Sequence, residues 1–401
     1  MKVLLINKFH YMKGGSERYY LTVAEAFRKQ GHDVCFLAMQ DEKNIECEQS
    51  KYFISNASVK GGIKSKLNMI MHIAYSKEAY EKTKKLCEAE KPDLVILNLV
   101  HKQLTCSVID AIKEYNKDLQ IFWTMHDLIC VCPAYTMLDA NGNICEKCLH
   151  GDFSNCKKNN CAHGSKLMSI LSTYEANQIR KHGWYNMVDL FICPSMFYRD
   201  KLREGKFTTS KIEWMRNPLP VDTKYELNNH DDKYILFFGR LSKEKGVKTL
   251  IDAMKDENYA LKVLGTGPLE KELKDYIKSN NITNVELLGF KSGEELTNYV
   301  RNSRCVVLPS EWYENGPYSA MEAMALGKPL IVSNLGGLPE LVEDGKNGFI
   351  FKEKSELSKC LDKMVNLDEE SYSKMCEDSL SKAKKWFDPI SYINEMISYV
   401  K

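Results

Sequence analysis

The chain has 401 residues, of which 44% are hydrophobic and 27% charged, and its net charge is +2. That is enough chain for two domains of ordinary size, with the balance of a soluble globular protein, which excludes fibrous and disordered classes. No stretch approaches the roughly 18 apolar residues needed to span a membrane, and so neutral a chain gives no reason to expect nucleic acid as a partner.

The charge is unevenly spread. Residues 1–221 carry 31 Lys and Arg against 24 Asp and Glu, and residues 222–401 carry 25 against 30, so the first part faces something anionic. Residues 2–7 read as a buried first strand rather than a signal peptide. The expected location is the cytoplasm, peripheral on the inner face of the membrane if the basic segment described below binds lipid. Thiols there stay reduced, so the fourteen cysteines are not expected in structural disulfides. Gly14-Gly15 follows the first strand, where glycines let backbone N–H groups approach a ligand closely. A helical pattern runs to Arg28, and residues 31–37 read as a helix stop and second strand.

Residues 60–85 carry Lys60, Lys64, Lys66, Lys77, Lys82, Lys84 and Lys85, with Leu67, Ile70, Met71 and Ala74 at helical spacing. Two readings fit: an ordinary helix with its apolar face on the core, or a basic amphipathic helix lying on an anionic membrane surface. Further apolar strands fit 93–97, 119–124 and 188–193. The second of these ends at Thr124-Met125-His126-Asp127, which aims His126 at the ligand edge of the sheet. Cys130, Cys132, Cys145, Cys148, Cys156 and Cys161 follow within 32 residues. Thiols so spaced can supply tetrahedral sulfur ligands. The best zinc quartet is Cys145, Cys148, Cys156 and Cys161, with Cys132, His150 or His163 as substitutes; free or redox thiols and an iron–sulfur cluster are the alternatives.

Residues 216–233 hold two prolines and a polar run and read as a linker. The strand–helix alternation then starts again at 234–239, with strands at 261–265, 285–289, 305–308 and 329–332. The fold class is therefore α/β, with two Rossmann-like domains facing across a cleft: 1–215 carrying a Cys-rich insertion at 130–163, and 234–385, with a final amphipathic helix at 386–401.

The second domain carries the chemistry. Arg240 and Lys245, five residues apart after its first strand, can place two cations on one phosphate. Gly265-Thr266-Gly267 begins like a dinucleotide fingerprint, but the third glycine is replaced by Glu270, which disfavours a nicotinamide oxidoreductase. Glu314 and Glu322 stand eight residues apart around Gly316-Pro317, where a helix begins. A helix start with Tyr318 and Ser319 suits a phosphate, and a carboxylate beside it accepts hydrogen bonds from sugar hydroxyls. Together they suggest a nucleotide sugar.

The run from Glu314 to Glu322, continuing through Gly327-Lys328-Pro329 and Gly336-Gly337, resembles the signature of retaining GT-B glycosyltransferases of family four. The resemblance covers nearly the whole chain and is strongest over 234–350. It implies that Arg240 and Lys245 contact the donor diphosphate, that Gly14 and Gly15 lie near it, and that Gly265 lies near the nucleotide base. It implies that Glu314 and His126 face the donor sugar and that Glu322 faces the ribose. It implies a last helix that crosses back to the first domain, and a Cys-rich loop that only some bacterial members share. The expected activity is transfer of a sugar from a nucleoside diphosphate, without a catalytic metal, to a glycan or lipid-linked acceptor. A catalytically silent nucleotide-sugar-binding protein, and an epimerase or phosphorylase on the same fold, are the alternatives.

Overall fold

A computed structural model describes residues 1–56, 73–255 and 257–401. The chain forms two compact units, Met1–Val221 with Pro389–Lys401, and Asp222–Asp388. Among the described residues no helix is long and apolar enough to cross a membrane.

The first unit is built on a parallel sheet of six strands: β1 (Lys2–Ile6), β2 (Asp33–Leu37), β3 (Leu94–Leu97), β4 (Gln120–Thr124), β5 (Leu190–Cys193) and β6 (Lys211–Trp214), in the order β2-β1-β3-β4-β5-β6. Residues Val3 to Ile6 and Leu94 to Leu97 are fully buried, as a sheet covered by helices on both faces requires. Its helices are α1 (Gly15–Lys29), α2 (Lys77–Glu90), α3 (Ser107–Tyr115), α4 (Ser154–Lys158), α5 (Lys166–His182) and α6 (Met196–Glu204). Local chemistry sets their ends. The side chain of Ser76 caps α2 by accepting from the Ala79 N–H, and Ser165 caps α5 by accepting from Met168. β6 was not expected from the sequence, because Lys211-Ile212-Glu213-Trp214 buries only Ile212, as an edge strand does.

The second unit repeats the scheme with β7 (Tyr234–Phe238), β8 (Ala260–Leu264), β9 (Val285–Gly289), β10 (Cys305–Leu308), β11 (Leu330–Ser333) and β12 (Gly348–Phe351), in the order β12-β11-β10-β7-β8-β9. Its helices are α7 (Val247–Met254), α8 (Glu270–Ser279), α9 (Gly293–Arg301), α10 (Tyr318–Ala325), α11 (Leu357–Val365) and α12 (Glu369–Trp386). One core cluster, with Ile235, Leu250, Leu261, Val307, Ile331 and Leu361 each fully buried, joins the sheet to its helices.

The terminal helix α13 (Pro389–Ile397) starts three residues later than expected, because Trp386 completes α12. It belongs to the first unit and packs on α1: the Tyr392 and Tyr19 hydroxyls are 2.8 Å apart, and Gln30 Nε2 donates to Asn394 Oδ1 at 2.9 Å. Of the basic segment 60–85, residues 60–72 lie outside the described residues. Its later lysines sit on α2 and are engaged: Lys82 pairs with Glu78 at 2.8 Å and Lys84 with Glu114 at 2.7 Å. That favours the ordinary-helix reading for this part.

Candidate active site

In an open parallel sheet, ligands bind beyond the carboxyl ends of the strands, where the strand order reverses. In the second unit the reversal lies between β7 and β10, which are neighbours although they are far apart in sequence. Lys245 follows β7 on a 3-10 turn (Lys243–Lys245), and Glu314 follows β10. The two meet, with Lys245 Nζ 2.6 Å from Glu314 Oε1. Ser310, which the sequence did not single out, donates to the same oxygen at 2.7 Å. The ion pair thus ties together the two chain segments that leave the sheet at its reversal point.

Glu314 is 5% exposed. Burial alone would raise its pKa. The charge and hydrogen bond of Lys245, then the Trp312 indole and the Ser310 hydroxyl, outweigh burial and hold the carboxyl below its ordinary value. The carboxylate is therefore fixed in its charged form, with Oε1 committed and its backbone clamped. The Gly337 N–H donates to the Glu314 carbonyl at 2.7 Å. Gly336 has φ +63°, and a Cβ there would fall 2.3 Å from that carbonyl oxygen, so only glycine fits.

The other expected residues of this unit lie at the same edge. Arg240 stands exposed just past β7. Gly265 closes β8 at φ +130°, and a Cβ there would meet the Gly239 carbonyl oxygen at 1.8 Å, so the glycine is required by the close approach of two strand-end loops. α10 starts at Tyr318, which is 8% exposed, directly after Pro317 with its fixed φ; Ser319 lies in the first turn and Glu322 in the second.

In the first unit the strand order reverses between β1 and β3. Gly14 precedes α1, Gly15 opens it, and both are exposed. His126 follows β4. Its Nε2 lies 2.9 Å from the Asn98 carboxamide oxygen, so Nε2 carries the proton and Nδ1 is an acceptor. Burial lowers its pKa to about 3, so the ring is neutral. Tyr19 holds it from the side, edge to face at 4.9 Å, with its own hydroxyl fixed by Thr124 at 2.8 Å and by Tyr392.

The same edge carries charged residues that the sequence did not flag, since single lysines after strands have no distinguishing spacing. Burial, then Lys13 and Lys102, lower the pKa of Lys8 to about 8. Glu175 is 3% exposed and accepts the Lys102 N–H at 2.7 Å; burial raises its pKa to about 7, against the opposing pull of Lys102 and Lys8. Asp127 is raised to about 6 by burial. A carboxyl raised in the folded state favours folding as the pH falls through its folded pKa and penalises folding above it. Glu175→Gln, whose amide oxygen can still accept the Lys102 N–H, is therefore expected to stabilise the protein by about 2–3 kcal/mol more at about pH 8 than at about pH 5. Urea unfolding at both pH values checks this; an equal effect at both would contradict it.

The cysteine insertion holds reduced thiols. All fourteen cysteines are free. Among the described residues no group of three or more His, Cys, Asp or Glu is set to hold a metal ion, the expected quartet Cys145, Cys148, Cys156 and Cys161 included. Cys145 is only half-buried, and its N–H is used by Met137. The thiol surroundings of Cys148 take in Cys132, Cys156 and Cys161, and those of Cys161 take in Cys156 and Cys145. These sulfurs accept backbone hydrogen bonds, Cys132 from Met137 and Ala134, Cys148 from Cys156, and Cys156 from Ala162. Burial pushes the Cys132 and Cys148 thiols to about 12, so they pack as neutral groups. His150 and His163, the expected substitutes, are exposed.

Two parallel six-stranded α/β units, each with polar side chains at the reversal point of its sheet, define the class as a GT-B fold. HepE of Anabaena, solved in complex with UDP and glucose, superposes with a TM-score of 0.67 over 99% of both chains at 17% identity. The family model for Glycosyltransferase Family 4 matches residues 13–223, and that for Glycosyl transferases group 1 matches residues 220–386. The chain belongs to glycosyltransferase family 4. An uncharacterized glycosyltransferase of Methanocaldococcus jannaschii is 31% identical over 226 residues, which is 56% of this chain and 62% of that protein. The putative colanic acid biosynthesis glycosyltransferase WcaL of Escherichia coli is 33% identical over 130 residues, 30% of this chain and 32% of that protein. The matched segments thus span less than two thirds of both relatives.

Proposed function

We propose that this protein is a retaining glycosyltransferase that moves a sugar from a nucleoside diphosphate to a hydroxyl of a glycan or lipid-linked acceptor. The observation that carries the reading is the Lys245–Glu314 ion pair across the sheet reversal of the second unit, with Arg240 exposed beside it. A buried, charged carboxylate held by lysine retains acceptor capacity for sugar hydroxyls. Arg240, Lys245 and the start of α10 at Tyr318 and Ser319 hold the diphosphate; Glu322 holds the ribose, and Gly265 backs the base. The family resemblance assigns Gly14 and Gly15 to the diphosphate as well. The neutral Nδ1 of His126 accepts from a donor-sugar hydroxyl.

The step is a front-side displacement. The acceptor oxygen bonds to the anomeric carbon on the face from which the diphosphate departs. The bonding pair of the anomeric C–O bond goes to the phosphate oxygen, and that oxygen takes the acceptor proton. Arg240, Lys245 and the α10 amino end stabilise the charge that develops there, so the reaction needs no divalent ion. UDP as the nucleotide is supported by the HepE complex, and polysaccharide synthesis as the setting by the name of WcaL.

Proton NMR of donor turnover tests this directly. With UDP-α-glucose, or whichever UDP-α-sugar a thermal-shift panel selects, the first sugar released should be the α-anomer, at a rate unchanged by EDTA. A β-anomer first, or loss of turnover in EDTA, would contradict the mechanism. Neither binding nor turnover with any nucleotide sugar would favour a silent binding protein.

A further inference from the structure

We propose that the exposed face of α5 docks the protein on an anionic lipid surface. Helix α5 follows the cysteine insertion and turns a polar and apolar face made of Ser169, Leu171, Ser172, Thr173, Ala176 and Ile179 into the unit. Its opposite face leaves Leu167, Ile170 and Tyr174 at 49%, 36% and 38% exposed. These positions are three and four residues apart, so they form one stripe along the helix. Single exposed apolar residues need no explanation, but a stripe of three on one helix marks an interaction surface.

The charge around the stripe says what covers it. From Phe153 to Tyr174 the chain contains no Asp or Glu, while Lys157, Lys158 and Lys166 are all exposed; the exposed Asp152 just before this stretch offsets part of the Lys158 charge and leaves the surface net basic. The next acidic residue, Glu175, is buried on the inner face. Thr173 Oγ1 donates to the Phe153 carbonyl at 3.2 Å, which holds the lysine-bearing segment beside α5. A second copy of the same surface would bring like charges together, which disfavours self-association. An anionic membrane fits both features: leucine, isoleucine and tyrosine enter the headgroup boundary, and each lysine contributes roughly five-fold to binding. The face differs from the lysine-rich segment 60–85, and it does not depend on the catalytic reading.

The full-length protein should co-sediment with vesicles of phosphatidylglycerol and phosphatidylcholine in equal parts, but not with phosphatidylcholine alone, and added salt should weaken binding. Ile170→Glu, and separately Lys157→Glu with Lys166→Glu, should each reduce binding at least about ten-fold. All three residues are exposed, so the variants should keep the wild-type melting temperature and the wild-type thermal shift with UDP. Absence of sedimentation would overturn the proposal. So would sedimentation undiminished in both variants, or a wild-type dimer in light scattering that Ile170→Glu dissociates.

Discussion

Replacing Lys245 by Met is expected to lower kcat/KM at least about 100-fold and to cost about 3 kcal/mol of stability at neutral pH. The loss of activity follows from removing one of two cations assigned to the departing diphosphate. The loss of stability has a different origin. The Lys245 and Glu314 side chains are 25% and 6% exposed, so removing the lysine strands a carboxylate that burial already disfavours. In the wild type, Glu314 has a lowered pKa. Its contribution to stability is present above the unfolded carboxyl value of 4.5 and is lost as the pH falls through the lower folded value. In the variant the dominant remaining influence is burial, which raises that pKa, and protonation relieves the penalty. The destabilisation should therefore be large at neutral pH and shrink as the pH approaches about 4. Glu314→Gln should cost activity comparably but stability less, because it leaves a lysine that can reach solvent. Urea unfolding of both variants across pH separates the two effects; a Lys245→Met cost that does not vary with pH would show that the pair is not coupled in this way.

Gly336→Ala is expected to be nearly as damaging although it removes no functional group. The added Cβ would sit 2.3 Å from the Glu314 carbonyl oxygen and 2.5 Å from its nitrogen, and both are backbone atoms that cannot rotate away. The left-handed φ of +63° adds about 1–2 kcal/mol for a residue with a side chain. A total of about 3 kcal/mol is expected, together with a drop in activity that exceeds the drop in folded fraction, because Glu314 is displaced. Thermal unfolding and kinetics on the same sample check this. Unchanged activity in a destabilised protein would mean that the turn supports the fold alone.

Much of this architecture is legible in the sequence, for identifiable reasons. Strands buried on both faces read as continuous apolar runs, as at Tyr234–Phe238 and Leu94–Leu97, and the restart at residue 234 separates the two units. β6 and β12 are not legible, since an edge strand of polar residues and a strand entered through Gly348 lack that signal. At the site, Glu314 and Lys245 stand out because glycine, proline and helix-start signals surround them. Their contact does not, because 69 residues separate them and only the strand order brings β7 beside β10. Asn98 and Glu175 are hidden for the same reason, since their partners His126 and Lys102 lie 28 and 73 residues away; Ser310 is only four residues from Glu314, but a single serine in a loop carries no distinguishing signal. The cysteine spacing is conspicuous but ambiguous. The fold buries Cys132, Cys148 and Cys156 and leaves Cys145 and Cys161 half-buried, a difference that spacing alone does not reveal.

Calorimetric titration of UDP into the wild-type protein, Lys245→Met and Glu314→Gln tests the central claim most directly. If the Lys245–Glu314 pair forms the floor of a nucleoside-diphosphate-sugar site, the wild type binds UDP and Lys245→Met weakens it at least about ten-fold, equivalent to about 1.4 kcal/mol. Glu314→Gln should leave UDP affinity nearly unchanged while weakening the UDP-sugar, because the carboxylate is assigned to the sugar and not to the nucleotide. Equal UDP affinity in wild type and Lys245→Met, or no binding by the wild type, would contradict the account.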